Sequence, residues 1–267
     1  MARNLALFEF TTFTNRPKPS LGWFIIEGVV IDALDGNDTI TGRSATDGIR
    51  NGGTLNTGDG NDTIKVSGVD YGVVNYGIIN TGNGNDTING TVTSRYGIGI
   101  LNEGTINTEG GNDTITGINY TKGIVNYGVM STAAGNDNIT GRSYIIAGGN
   151  HGIYNYGTID SGAGNDVINA LKGGFGGIGT IYLGDENDTL KGFGAGNFYG
   201  GTGEDKIILG KGIYTISGFA IRAMGVTMNV NEFEQIGGTK GAAFTYEDGT
   251  LTVTSRGIGR FTGLPTQ

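Results

Sequence analysis

One internal repeat constrains this chain more than any other feature. The triplet Gly-Asn-Asp recurs six times, ending at Asp38, Asp62, Asp86, Asp113, Asp137 and Asp166. Two variants follow, Glu-Asn-Asp ending at Asp188 and Gly-Glu-Asp ending at Asp205. The intervals are 24, 24, 27, 24, 29, 22 and 17 residues. A period near 24 implies a solenoid, with one unit per coil and each coil stacked on the last.

Each coil can be read outward from its Asp. Two residues later stands a large aliphatic: Ile40, Ile64, Ile88, Ile115, Ile139, Ile168, Leu190 or Ile207. Seven residues earlier stands another apolar group: Ile31, Leu55, Ile79, Ile106, Met130, Ile159, Ile181 or Phe198. In five central coils a third lies thirteen earlier, at Ile49, Val73, Ile100, Ile124 and Ile153. Isolated apolar positions among polar residues and glycines read as short, half-buried strands. No single coil can bury three aliphatics, but coils stacked about 4.8 Å apart make continuous apolar columns. The expectation is an all-β, parallel β-solenoid (β-helix or β-roll) with coils of about 24 residues and β-rich terminal caps. Glycine makes up 54 of 267 residues and recurs at the corners, where positive φ or close backbone approach requires it. Proline is absent from residues 20–264, as stacked strands that need every N–H demand. An Asn column at Asn51, Asn75, Asn102, Asn126 and Asn155 is expected to satisfy corner backbone groups.

Stacking in register sets eight aspartates on one edge. Neighbouring charges about 4.8 Å apart repel by about 1 kcal/mol in water and about 3.5 kcal/mol at an effective dielectric of 20. Asp35, Asp59, Asp185, Glu109, Glu186 and Glu204 add to that charge, and few Lys or Arg lie near the turns. Carboxylates with backbone carbonyls form an oxygen-only set, which suits Ca²⁺. The competing reading is that Asp and Asn satisfy turn N–H groups with no ion.

At this point the residues carry a resemblance. Thr81-Gly82-Asn83-Gly84-Asn85-Asp86-Thr87-Ile88-Asn89 resembles the calcium-binding nonapeptide G-G-x-G-x-D-x-U-x of RTX (repeats-in-toxin, haemolysin-type) proteins. Gly200-Gly201-Thr202-Gly203-Glu204-Asp205-Lys206-Ile207-Ile208 fits it at every position. The resemblance covers about residues 30–210. It implies Ca²⁺ held between successive turns by Asp38, Asp62, Asp86, Asp113, Asp137, Asp166, Asp188 and Asp205 with glycine-region carbonyls. Thr or Ser replaces the first glycine in the central coils, and Leu34, Glu109 and Ala133 replace the second in three turns. The usual roll repeats every 18 residues with nonapeptides on both sides. Here only one edge carries them, so one calcium row is expected, with Asp113 and Asp137 its weakest members. The opposite edge, as in Gly72-Val73-Val74-Asn75-Tyr76-Gly77-Ile78-Ile79-Asn80, resembles haemagglutinin-type β-helix repeats. The mixture, with Asn229–Gly238, is similar to calcium-binding proteins of cyanobacterial type.

Three segments are expected: an N-terminal arm and cap (1–28), the calcium-binding repeats (29–210) and a β-rich C-terminal cap (211–267). Leu5, Leu7, Phe8, Phe10 and Phe13 form an apolar segment that either folds back as a cap or pairs with a neighbouring molecule's edge. The net charge of −8 disfavours nucleic acid. One histidine and no cysteine leave almost no material for zinc or His-based catalysis, and no apolar run reaches membrane-spanning length. His151 is expected in a loop. No nucleophile–base pair or carboxylate pair stands apart, so no enzyme is expected. No N-terminal signal peptide is read. The resemblance instead implies an extracellular or cell-surface protein, exported by signal-peptide-independent (type I-like) secretion. No effector domain of toxin type is expected, since the 28 residues read ahead of the repeat are too few to form one.

The leading expectation is thus a calcium-stabilised structural solenoid that self-assembles into filaments or a surface layer. The alternative is a binding module. A glycan adhesin would use tyrosine columns at Tyr71, Tyr96, Tyr120 and Tyr144 and at Tyr76, Tyr127 and Tyr156. An ice binder would use the threonine row Thr39, Thr63, Thr87, Thr114 and Thr189.

Overall fold

The computed structural model describes residues 23–25, 28–145 and 149–263. The apolar segment Leu5–Phe13 lies outside them. The fold is a parallel β-solenoid with three faces. One coil shows the pattern. Thr63–Gly68 lies in the first sheet, Tyr71–Asn75 in the second and Ile78–Asn80 in the third, and a turn ending at Asp86 begins the next coil. Repetition builds sheets of ten, seven and thirteen strands in that order. No helix among the described residues is long and apolar enough to cross a membrane.

The aliphatic columns face the interior. Ile64, Val73 and Ile79 are fully buried, and their equivalents in the other coils join them in one continuous core. At roughly 1.5–3 kcal/mol for each buried aliphatic, the columns stabilise a body too thin to have a spherical core. The third column runs one coil beyond the five central ones: Phe175, thirteen residues before Asp188, pairs in register with Ile153. A smaller apolar cluster lies outside it. Val74, Leu101 and Val125, each next to an inward residue, are buried under Tyr71, Ile98 and Tyr154.

Two glycine columns show why this composition is needed. A Cβ on Gly77 would sit 1.9 Å from the Gly53 carbonyl oxygen of the coil before it. Gly84 has φ of 142°, and a Cβ there would sit 1.6 Å from the Gly60 oxygen. Side chains at these corners would hold the coils apart. The asparagine column is a buried amide ladder. Asn75 Nδ2 donates to Asn102 Oδ1 at 2.8 Å and to the Thr105 carbonyl at 2.9 Å, and Asn102 repeats the pattern with Asn126 and Val129.

Pairing of the repeat type continues beyond residue 210. Gly212–Ser217 and Ala220–Ala223 form antiparallel strands, after which Val226–Asn231 and Gln235–Gly238 return to parallel pairing. Phe198 thus faces Val230, and Ile207 faces Ile236. Antiparallel strands then close this end, with Gly249–Val253 paired to Gly259–Gly263.

Three expectations are corrected. His151 is not in a loop: it opens the strand His151–Asn155, half-buried, with its ring 4.9 Å from that of Tyr154. Tyr71 does not head a tyrosine column, because its register partner is Ile98, which pairs in turn with Lys122. The threonine row is interrupted, because Asn138 and Val167 occupy the register between Thr114 and Thr189.

Candidate metal centre

The turns before the first sheet bring all eight candidate aspartates, from Asp38 to Asp205, into one file. Each is at most 5% exposed, so the carboxylates point into the stack and not out from an edge. The reason is a backbone need. The turn leaves the N–H of its Asp without a partner from the strands, and the carboxylate one coil later supplies one. Asp38 N–H donates to Asp62 Oδ1 at 2.7 Å, Asp62 to Asp86, Asp86 to Asp113 and Asp113 to Asp137, all at 2.7 Å. Asp137 donates to Asp166, Asp166 to Asp188 and Asp188 to Asp205 at 2.7–2.8 Å. Asp113 and Asp137 hold this geometry as well as the rest. Their turns place Glu109 and Ala133 in the left-handed region, at φ of 57° and 61°, as the first turn places Leu34 at 68°, where the other five turns use glycine.

A ninth carboxylate ends the file. Asp205 N–H donates to Glu234 Oε2 at 2.6 Å. Sequence reasoning missed Glu234. Its signal is Glu234-Gln235-Ile236, which repeats the Asp-x-aliphatic pattern with a longer acid.

From Asp62 to Asp205 only one oxygen of each aspartate is used in this way. Oδ2 of all eight is buried and has no hydrogen-bond partner. The hydroxyl column of Thr57, Thr81, Thr108, Thr132 and Ser161 lies beside these carboxylates and partly offsets their burial. It does not close the gap. Thr57, Thr132 and Ser161 donate to carbonyls of the following coil, whereas the hydroxyls of Thr81 and Thr108 have no other partner and lie beside Asp86 and Asp113, which they partly stabilise in the charged form. Burial pushes Asp86 and Asp205 up to about 6, Asp113 and Asp166 to about 7, and Asp188 to about 8. Asp38, Asp62 and Asp137 are raised in the same direction for the same leading reason. Repulsion between neighbouring carboxylates adds a smaller push at several positions. Desolvation therefore outweighs the repulsion from which the cation was first inferred.

The row fits a hard cation in donor type. Each Asp of the file offers a carboxylate oxygen without a partner, and the other unpartnered buried side-chain atoms among the described residues, Asn80 Oδ1 and the hydroxyls of Thr81 and Thr108, are oxygens as well. Among the described residues, no group of three or more His, Cys, Asp and Glu side chains could hold a metal ion. Any ion would thus draw most of its six to eight oxygens from backbone carbonyls and water. Asp32, Asp35 and Asp59 are not in the buried file. Asp59 accepts from the N–H and side chain of Asn83 at the surface.

The tyrosine column at the opposite corner is a ring stack. Tyr127 and Tyr156 lie face to face, with centroids 5.4 Å apart and planes 18° apart. No protein-family model, curated protein or solved structure matches the chain.

Proposed function

We propose that this chain is a calcium-stabilised, non-catalytic β-solenoid with a structural role outside the cell, built on turns of RTX type. The observation that carries the reading is the row of eight buried carboxylate oxygens without hydrogen-bond partners. A buried, unpartnered charge costs several kcal/mol, so a row of them requires compensation. Calcium between successive turns would supply it through Asp38, Asp62, Asp86, Asp113, Asp137, Asp166, Asp188 and Asp205, those from Asp62 onward keeping Oδ1 on the backbone. Millimolar extracellular calcium suits weak, repeated sites.

Self-association is part of the proposal. Among the described residues, Val30–Asp32 and Thr39–Arg43 are edge strands of two sheets at the first coil, and sheet edges are templates for further strands. Contact of one end with the other end of a second copy is heterologous and grows as a filament. A second reading is favoured by the unbroken Asp-to-backbone ladder: protons, not cations, discharge the row. Isothermal titration of chelator-treated protein with Ca²⁺ separates the two. Saturable heat with a raised melting temperature supports calcium, and no heat at neutral pH refutes it. Electron microscopy with and without calcium tests assembly; dispersed single particles at high concentration in calcium would remove the filament from the proposal.

A further inference from the structure

The corner after the asparagine ladder carries a second column, independent of the calcium reading. Tyr76, Glu103, Tyr127 and Tyr156 each follow a ladder asparagine. Their N–H groups donate one coil back, to Asn51, Asn75, Asn102 and Asn126, at 2.7–2.8 Å. The four side chains therefore leave the same corner of successive coils, and all four are exposed.

Two observations fix the ring orientation. Tyr127 and Tyr156 stack face to face. On Tyr76 the guanidinium of Arg50, from the preceding coil, lies 5.5 Å from the ring centroid, and its Nη1 donates to the Tyr76 hydroxyl at 3.2 Å. Ring faces in this column thus look along the solenoid axis, and one of them already holds a cation. Between Tyr76 and Tyr127 stands Glu103 in place of a ring. Two coils separate those rings by roughly 9.6 Å. Subtracting ring thickness leaves a slot of about 6 Å. Glu103 is exposed in the coil between the two rings and forms no ion pair among the described residues. Ile78 and Val129, both exposed, flank Thr105 of the same coil as Glu103.

We infer that this slot binds a quaternary ammonium group. A planar guanidinium between two rings needs a spacing of only about 7 Å, whereas a trimethylammonium is about 6 Å thick and fills the gap. Two aromatic faces and one carboxylate are the chemistry that recognises such a cation. The carrier is a small quaternary ammonium compound, either free or as the choline headgroup of a lipid.

The test titrates the full chain with choline and with its neutral carbon isostere, dimethylbutanol, by ligand-observed saturation-transfer NMR. Choline is expected to bind roughly 5- to 30-fold more tightly than the isostere. Glu103→Gln should narrow the preference for choline over the isostere to the share that the two ring faces supply. Glu103→Tyr should abolish choline binding while circular dichroism stays unchanged, because a third ring continues the stack and fills the slot. Co-sedimentation with phosphatidylcholine vesicles assigns the lipid carrier, and choline binding without it assigns the free compound. Equal affinity for choline and dimethylbutanol, no saturation transfer to choline, or undiminished choline binding by Glu103→Tyr would each overturn the inference.

Discussion

The buried carboxylate row predicts an unusual pH dependence that calcium reverses. In the metal-free protein the carboxyls of Asp86, Asp113, Asp166, Asp188 and Asp205 are pushed up to between about 6 and about 8. An unfolded aspartate titrates near 3.9, so over the intervening range the native state binds more protons than the unfolded state. Stability is then fully present below about pH 4 and falls as pH rises through about 6 to 8. Counting only about one pH unit for each of the five, to allow for solvent screening, gives about 1.4 kcal/mol apiece and about 7 kcal/mol together. That is comparable with the roughly 5–15 kcal/mol that holds a typical domain. Asp59 shifts the other way, held down by Asn83, but it is fully exposed and does not alter the sign. A bound dication lowers the carboxylate pKa values below the unfolded ones, so stability is then present at neutral pH and lost on acidification. The assay is urea unfolding followed by circular dichroism from about pH 4.5 to about pH 8, with chelator and with calcium. Metal-free protein that is equally stable, or more stable, at the alkaline end would refute the reasoning.

Other consequences follow from single side chains. Asp113→Asn keeps an acceptor for the Asp86 N–H while removing a charge, so thermal melts should show chelated protein stabilised at about pH 8 by roughly 1–3 kcal/mol. The same variant should bind fewer calcium ions in titration calorimetry, while the turns away from Asp113 keep theirs. Asn102→Ala removes donors to Asn126, Val129 and Gly104. It leaves buried acceptors unpaired and should cost about 2–4 kcal/mol in chemical denaturation. Ala133→Gly relieves a residue at φ of 61° and should stabilise by about 0.5–1 kcal/mol in the same assay.

The repeat itself carried most of the architecture. Spacing from each Asp placed Ile64, Val73 and Ile79 in three interior columns because strand period and coil period act together. Three features escaped it for physical reasons. Spacing within a turn does not say which way the turn's side chains point, so the aspartates were expected on an edge and are in fact buried acceptors. The antiparallel pair Gly212–Ser217 and Ala220–Ala223 separates Asp205 from Glu234, so a period count cannot find the final carboxylate. Valines and leucines on the outer face were hidden too, since burial of Val74 and Leu101 depends on Tyr71 and Ile98 closing over them.

The most direct test of the calcium row is anomalous X-ray diffraction from crystals grown in calcium. Discrete anomalous peaks between successive turns, within bonding distance of the Oδ2 atoms from Asp38 to Asp205, are the predicted result. A well-ordered Asp-to-backbone ladder with no such peaks along it would contradict the account.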